Sequence, residues 1–270
     1  MPKRFLFMGI FALIIAVSAW FFAVKWQQQH QTVVTEDGVE TVAGSVTPVG
    51  AKEKIKVVAS LFPWYDLAKQ IGGERVEVKL LLPPGVEAHA FEPTPSDLTT
   101  VSQAKLFVYT GDYFETWAQD ILDSLDGDAP KAEALGAGLA TLTDKDEKIS
   151  TEEETKSNQD PHIWLDPMLL SKAAGRLTQT LAALDPDNSA YYNQRLENYQ
   201  KRLESLDADY RQTLSRCNQT EFIYAGHYAF GYLAARYGLK YEAAQGFSPD
   251  AESSPQRLTE LTDLIKESQA

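Results

Sequence analysis

The longest amphipathic stretch of the chain reads SAYYNQRLENYQKRLESLDADYRQTLSR at Ser189–Arg216. Its apolar side chains recur at steps of three and four residues, which aligns them on one face of a helix; they are Tyr192, Leu196, Tyr199, Leu203, Leu206, Tyr210 and Leu214. At about 1.5 Å of rise per residue, such a helix would span roughly 40 Å. Two interpretations are open: a surface helix packed on one core, or a rigid spacer that joins two lobes.

The segments on either side of this helix help to decide between them. Before it, β-branched runs alternate with helical patterns, so we predict strands over 54–60, 76–82 and 105–110, and helices over 63–71, 95–104, 113–125 and 168–184. After it, we predict strands over 221–225 and 239–244, with one helix between them and another from 253. This alternation is typical of parallel sheets covered on both faces. Units of this kind on both sides favour the two-lobe interpretation.

The predicted organisation has five parts. They are a membrane anchor or signal segment (1–25), a polar tether (26–53), an N-terminal α/β lobe (54–185) with an acidic loop (142–160), a linking helix (186–216) and a partial C-terminal α/β lobe (217–270). The last part contains only two predicted strands, fewer than a doubly wound lobe normally has. We therefore expect a second lobe that is truncated or incomplete.

The N-terminal segment predicts export. Residues 5–24 carry no charge and follow Lys3 and Arg4, and a run of this length is enough to cross a bilayer with the basic end in the cytoplasm. The small residues at 17–19 would also suit cleavage of a signal peptide. An uncleaved anchor is favoured, because the apolar run continues past that point. Either alternative places the body of the protein outside the cytoplasm, at the periplasm or cell surface.

The composition excludes several classes of function. The chain of 270 residues has a formal net charge of −13, so nucleic acid would be repelled and is not an expected partner. The lone cysteine, Cys217, can form neither an internal disulfide nor a thiolate metal cluster. With 44% hydrophobic residues, the chain can bury one large core or two modest ones.

Three of the four histidines share one context. His89, His162 and His227 each lie at or just after a predicted strand end, beside Gly or Pro, whereas His30 lies in the tether. Loops beyond the carboxyl ends of parallel strands form the binding crevice of α/β sheets. Three imidazoles suit Zn²⁺, with a carboxylate or water as the fourth ligand. Taken singly, each could instead be a hydrogen-bonded loop residue.

Longer motifs around these histidines point to a family. They are PPGVEAHAFEP, DPHIWLDP and AGHYAFGYLAARYGLKYEAAQGFSPDAESSP. With them, residues 54–270 resemble the metal-binding substrate-binding proteins of ABC importers, and the zinc branch (cluster A-I) in particular. The resemblance implies two Rossmann-like lobes joined by one long rigid helix, a cognate ABC permease as partner, and His89, His162 and His227 as metal ligands. A histidine at the third ligand position, where manganese relatives use a carboxylate, implies Zn²⁺ as the transported ligand in preference to Mn²⁺.

The chain departs from the family pattern in several places. The family's fourth ligand, an acid late in the second lobe, has no counterpart before the last residue, so water, Glu87 or another acid would have to complete the site. The family's usual Glu-Pro-Ser-Pro reads Glu-Ser-Ser-Pro at 252–255. No N-terminal cysteine is available for lipid modification, and the loop that is His-rich in zinc members is acidic here, which we interpret as a solvated loop.

The sequence thus predicts an extracytoplasmic, monomeric receptor that delivers Zn²⁺ to an ABC permease and is not an enzyme. One alternative is a zinc-dependent hydrolase whose three-His site activates water. Against it, the chain has neither a His-Glu-x-x-His nor a Gly-x-Ser-x-Gly motif. Another alternative is a metal-independent adhesin on the same fold. Because the linking helix is stiff, we expect small lobe adjustments on binding and no wide hinge closure.

Overall fold

The structure, a computed structural model, describes residues 53–86, 88, 91–142, 159–246 and 253–268. The predicted membrane segment at 5–24, the tether, most of the acidic loop, Glu87 and His89 lie outside the described residues. Of the helices within the described ranges, none combines the length and apolarity that a membrane crossing needs.

The first lobe is built on four parallel strands. They are β1 (Ile55–Ala59), β2 (Val76–Leu80), β3 (Leu106–Tyr109) and β4 (Lys131–Ala134), in the spatial order β2-β1-β3-β4. Val57 on β1 lies opposite Val78 on β2 and Leu106 on β3. Strand β4 was not predicted, because its sequence KAEA is short and lacks the β-branched residues that mark the other strands.

Helices cover both faces of this sheet. They are α1 (Phe62–Gly72), α2 (Pro95–Ser102), α3 (Thr116–Ser124) and α4 (Pro167–Leu184). Alternate strand residues point to opposite faces, so Val57 and Leu106 pack in one core with α1 and α4. Val58 and Phe107 pack in the other core with residues of α2 and α3. A sheet covered on both faces is what the alternation of strands and helices in the sequence predicted.

The long helix, α5 (Ser189–Leu214), begins three residues after the start predicted for the linking helix (186–216) and ends two residues before its predicted end. Its apolar stripe is buried at Tyr192, Tyr199 and Leu203, where it packs against the core of the first lobe. Leu206, by contrast, is 43% exposed. The stripe changes from buried to exposed here because α5 leaves the first lobe at this point and continues toward the second.

The second lobe, in its described part, contains two parallel strands, β5 (Glu221–His227) and β6 (Lys240–Gln245), with the helices α6 (Gly231–Tyr237) and α7 (Pro255–Ser268). Several contacts tie it to the linking helix. Tyr210 stacks on Tyr237 at 5.0 Å between ring centroids, and Asp207 accepts hydrogen bonds from Arg236 Nε at 2.6 Å and from the Tyr237 hydroxyl at 3.1 Å. The fold class predicted from the sequence is thereby confirmed: parallel α/β lobes joined by one long helix.

Candidate metal site

His162 lies on the loop that leads into α4, and it is 7% exposed. The fully buried Asp160 holds it at two points, because Asp160 Oδ1 accepts from the His162 backbone N–H at 2.9 Å and lies 2.7 Å from the ring Nδ1. Trp164 packs edge-on against the imidazole at 5.4 Å between centroids. With Nδ1–H donated to the carboxylate, the lone pair of His162 is on Nε2.

His227 is the last residue of β5 and is half-buried. The pairing register shifts just before it: Tyr224 pairs with Ala243, whereas His227 pairs with Gln245, so β5 holds one extra residue. Such a bulge re-aims the side chain that follows it. The extra residue falls at Ala225-Gly226, where a Cβ at Gly226 would come within 2.6 Å of the Tyr224 ring.

The two imidazoles meet at the junction of the lobes. His162 Nε2 and His227 Nε2 are 3.3 Å apart, and the rings are tilted by 44° with their centroids 5.2 Å apart. Two nitrogen ligands at about 2.0–2.1 Å from a tetrahedral Zn²⁺ are separated by about 3.3–3.4 Å. The observed nitrogen separation therefore matches what a shared zinc ion requires.

The third predicted ligand, His89, lies outside the described residues, as does Glu87. Between them, Ala88 is buried, and its carbonyl oxygen accepts a 3.2 Å hydrogen bond from Trp117 Nε1. The residues that the structure describes contain no group of three or more His, Cys, Asp or Glu side chains that could hold a metal. The described part thus brings together two of the three predicted ligands, and the three-His site stays a prediction.

Two further residues of this region were not singled out from the sequence. Asp160 stands two positions before His162, a spacing at which an Asp side chain can bond the following backbone, and this signal could have been used. Tyr232, on α6, donates to the carbonyl oxygen of Asp160 at 3.0 Å and accepts from the backbone N–H groups of Thr141 and Leu142. No sequence pattern marks a contact of this kind, because its partners are remote backbone groups.

A family model now adds to this geometry. The model for ZnuA, described as the periplasmic component A of a zinc-uptake complex, matches residues 57–270. The chain belongs to the ZnuA family. Two of the motifs that first suggested this family, around His162 and His227, carry the two imidazoles that lie in contact.

Named relatives agree with membership of the ZnuA family. The high-affinity zinc uptake system protein ZnuA of Bacillus subtilis is 37% identical over 250 residues, covering 87% of this chain and 74% of that protein. The zinc-binding lipoprotein AdcA of Streptococcus pneumoniae is 34% identical over 220 residues, covering 80% of this chain and 44% of AdcA. The chain therefore spans less than half the length of AdcA.

Solved structures show the same fold. The laminin-binding adhesin Lmb of Streptococcus agalactiae, a mutant structure, superposes with a TM-score of 0.70 at 31% identity, covering 80% of this chain and 78% of Lmb. The Zn(II)-bound AdcA of Streptococcus pneumoniae gives a TM-score of 0.65 at 34% identity, covering 79% of this chain and 44% of AdcA.

Proposed function

We propose that this chain is the zinc-binding receptor of an ABC uptake system, working outside the cytoplasm and delivering Zn²⁺ to its cognate permease. The observation that carries the proposal is the 3.3 Å separation of the His162 and His227 Nε2 atoms. Membership of the ZnuA family and the zinc-uptake role named for the Bacillus subtilis relative support it.

The proposed ligand set is His89, His162 and His227, with water or a carboxylate in the fourth position. Neutral imidazole is a ligand that Zn²⁺ prefers, whereas Mn²⁺ favours oxygen donors. The contact between two imidazoles therefore supports zinc as the cargo in preference to manganese.

The proposed capture step connects the two lobes. His162 precedes α4 of the first lobe and His227 ends β5 of the second, so an ion bound by both would link them. The long helix α5 is anchored along the first lobe; for example, Arg195 Nε on α5 donates to the Gln70 carbonyl oxygen of α1 at 2.7 Å. Such anchoring supports capture by small adjustments near the site and release without wide hinge opening.

The proposed role is transport and not catalysis. The carboxylate of Asp160 is already engaged by His162 through one oxygen and is fully buried, which suits orientation of a ligand more than proton transfer to a substrate. We propose further that residues 5–24 hold the receptor at the membrane and that it works as a monomer beside its permease.

The function is tested by zinc competition with a chromogenic chelator, using the full chain. Replacing His227 with Ala removes one imidazole, and since chelation depends on all ligands together, affinity should fall by at least about 100-fold. His30→Ala is the matched control, a histidine placed by the sequence in the tether, and it should bind zinc as the parent does. Parent-like affinity in His227→Ala would overturn the proposal.

A second role, adhesion, is favoured by one observation. Two structural relatives at 31% and 30% identity are titled as laminin-binding proteins, one of them from Streptococcus pyogenes. We propose binding to laminin as an accessory activity of the same fold. Retention of the full chain on laminin-coated surfaces, compared in the presence and absence of a zinc chelator, tests it; no retention in either condition would refute it.

A further inference from the structure

We propose that Asp160 is a positioning residue for metal binding, and that Tyr232 of the second lobe holds Asp160 in place. This inference rests on the proposed zinc function and extends it from the ligands to the residues that orient them. Four observations on the described residues carry it: a double hold on His162, a fully used tyrosine hydroxyl, an unpaired carboxylate oxygen and a glycine packed against that oxygen.

The first observation is the double hold on His162. One carboxylate oxygen, Asp160 Oδ1, meets both the backbone N–H and the ring Nδ1 of His162, at 2.9 and 2.7 Å. The bond to the backbone N–H fixes the position of the His162 main chain, and the bond to Nδ1 fixes the orientation of the imidazole ring. Together they direct Nε2 toward His227. A carboxylate behind a ligating imidazole also fixes its tautomer and raises its strength as a ligand.

The second observation is the Tyr232 hydroxyl, which belongs to α6 of the second lobe. It donates to the Asp160 carbonyl oxygen at 3.0 Å and accepts from Thr141 N–H at 2.9 Å and Leu142 N–H at 3.2 Å. A phenol offers one donor and two acceptor lone pairs, so its capacity is fully used. Tyr232 is only 3% exposed. A residue of the second lobe therefore fixes the backbone that carries Asp160.

The third observation is the other carboxylate oxygen. Asp160 Oδ2 is buried and has no hydrogen-bond partner within the described part of the chain. An unpaired buried carboxylate oxygen costs free energy, and a fold that needed only a turn at this point could use an uncharged residue. The cost is understandable if the negative charge is needed beside a site that receives a divalent cation.

The fourth observation is the packing of Gly231 against this oxygen. A Cβ at position 231 would lie 2.8 Å from Asp160 Oδ2 and 2.7 Å from the Tyr228 ring. The residue before Tyr232 must therefore be small for the carboxylate to keep its place. The second lobe thus bears on Asp160 in two ways: the Tyr232 hydroxyl bonds its carbonyl oxygen, and the missing side chain of Gly231 leaves room for its Oδ2.

The test compares Asp160→Asn and Tyr232→Phe with the parent full chain. Asn keeps an oxygen for both His162 contacts, but it loses the charge and puts an amide NH₂ where Oδ2 was. Phe loses only the hydroxyl. We expect zinc affinity, measured by chelator competition, to fall about 10–100-fold in Asp160→Asn and about tenfold in Tyr232→Phe. Zn²⁺ has no ligand-field spectrum, so Co²⁺ serves as the spectroscopic probe, and its absorption bands should change in both variants.

Matched controls separate positioning from folding. Glu115→Gln replaces another fully buried carboxyl group of the first lobe, and Tyr192→Phe removes another buried hydroxyl, which donates to Asp185 at 3.0 Å. Both controls should keep the parent's zinc affinity and Co²⁺ spectrum. Urea unfolding in the presence of a chelator establishes that each variant is folded.

The outcomes distinguish this inference from the function on which it rests. If His227→Ala loses zinc while Asp160→Asn keeps the parent's affinity and Co²⁺ spectrum, the positioning role is wrong and the zinc receptor stands. If the controls lose as much affinity as the two test variants, the effect is general to buried polar groups and the inference is likewise wrong. If His227→Ala itself binds zinc as the parent does, the proposed function has failed first.

Discussion

The stability of the first lobe should depend on pH through one buried carboxyl group, Glu115. It is fully buried at the carboxyl ends of β1 and β3, where it accepts from Ser60 Oγ at 2.5 Å and from the backbone N–H groups of Thr110 and Gly111 at 2.6 and 3.1 Å. Burial raises the pKa of the carboxyl from 4.5 to about 7, and these hydrogen bonds oppose part of the rise. Replacing Glu115 with Gln removes this ionisable group and keeps the size of the side chain.

The magnitude follows from proton linkage. Between pH 4.5 and about 7 the folded state holds a proton on Glu115 that the unfolded state has lost, so the free energy of unfolding falls as the pH rises. Each pH unit over which the states differ by one proton contributes about 1.4 kcal/mol, which gives about 3 kcal/mol over the whole interval. The contribution is complete below pH 4.5 and is lost above pH 7. A Gln side chain stays neutral throughout and can donate its amide to Ser60, whose hydroxyl can also accept.

The assay is urea unfolding of parent and variant at a series of pH values, followed by tryptophan fluorescence with a chelator present so that zinc does not contribute. Groups common to both proteins cancel in the difference between the two free energies of unfolding. We expect the variant to gain about 3 kcal/mol relative to the parent between pH 4 and pH 8. A difference that stays constant over this range would refute the reasoning, because Glu115 would then ionise alike in the folded and unfolded states.

Two further predictions concern the second lobe and its attachment. Hydrogen bonds from Arg236 and Arg211 lower the pKa of Asp207 to about 2, so its contribution is present above about pH 4 and is lost as the pH falls toward 2. Asp207→Asn should therefore lower the free energy of unfolding by about 1–2 kcal/mol at pH 7 and by only about 0.4 kcal/mol at pH 2, where the carboxyl of the folded state is half ionised. An equal loss at both pH values in urea unfolding would contradict this. Gly238 ends α6 with φ 70°, and the position that a Cβ would occupy is open, so Gly238→Ala should cost about 1 kcal/mol from the backbone alone. A variant as stable as the parent would show that this conformation is not strained.

Much of the fold could be predicted because its elements carry strong local patterns. β3 is a continuous apolar run, β1 is apolar apart from Lys56, and α5 carries its stripe over most of its length. β4 could not be predicted, since KAEA acquires its strand conformation by pairing with β3 and not from its own residues. The exposure of Leu206 could not be predicted either, because a regular apolar stripe does not indicate where a helix leaves one lobe for another.

The site could be predicted in part. The Gly and Pro residues beside His162 and His227 drew attention to these two histidines, which lie in contact, and their role as ligands stays a prediction. The extra residue before His227 could not be foreseen, because a bulge depends on the register with β6. The role of Tyr232 depends on backbone groups at 141, 142 and 160 that only the folded chain brings together. His89 stays a prediction from its position and from the family resemblance.

X-ray absorption at the zinc edge counts the nitrogen neighbours of the ion and so shows whether His162 and His227 bind one zinc ion together. On the full chain loaded with one equivalent of zinc, the account predicts at least two imidazole nitrogens at about 2.0–2.1 Å. In the spectrum of His227→Ala, the contribution of one imidazole to the scattering around zinc should be missing. A spectrum with only oxygen neighbours, or one that His227→Ala leaves unchanged, would contradict the account.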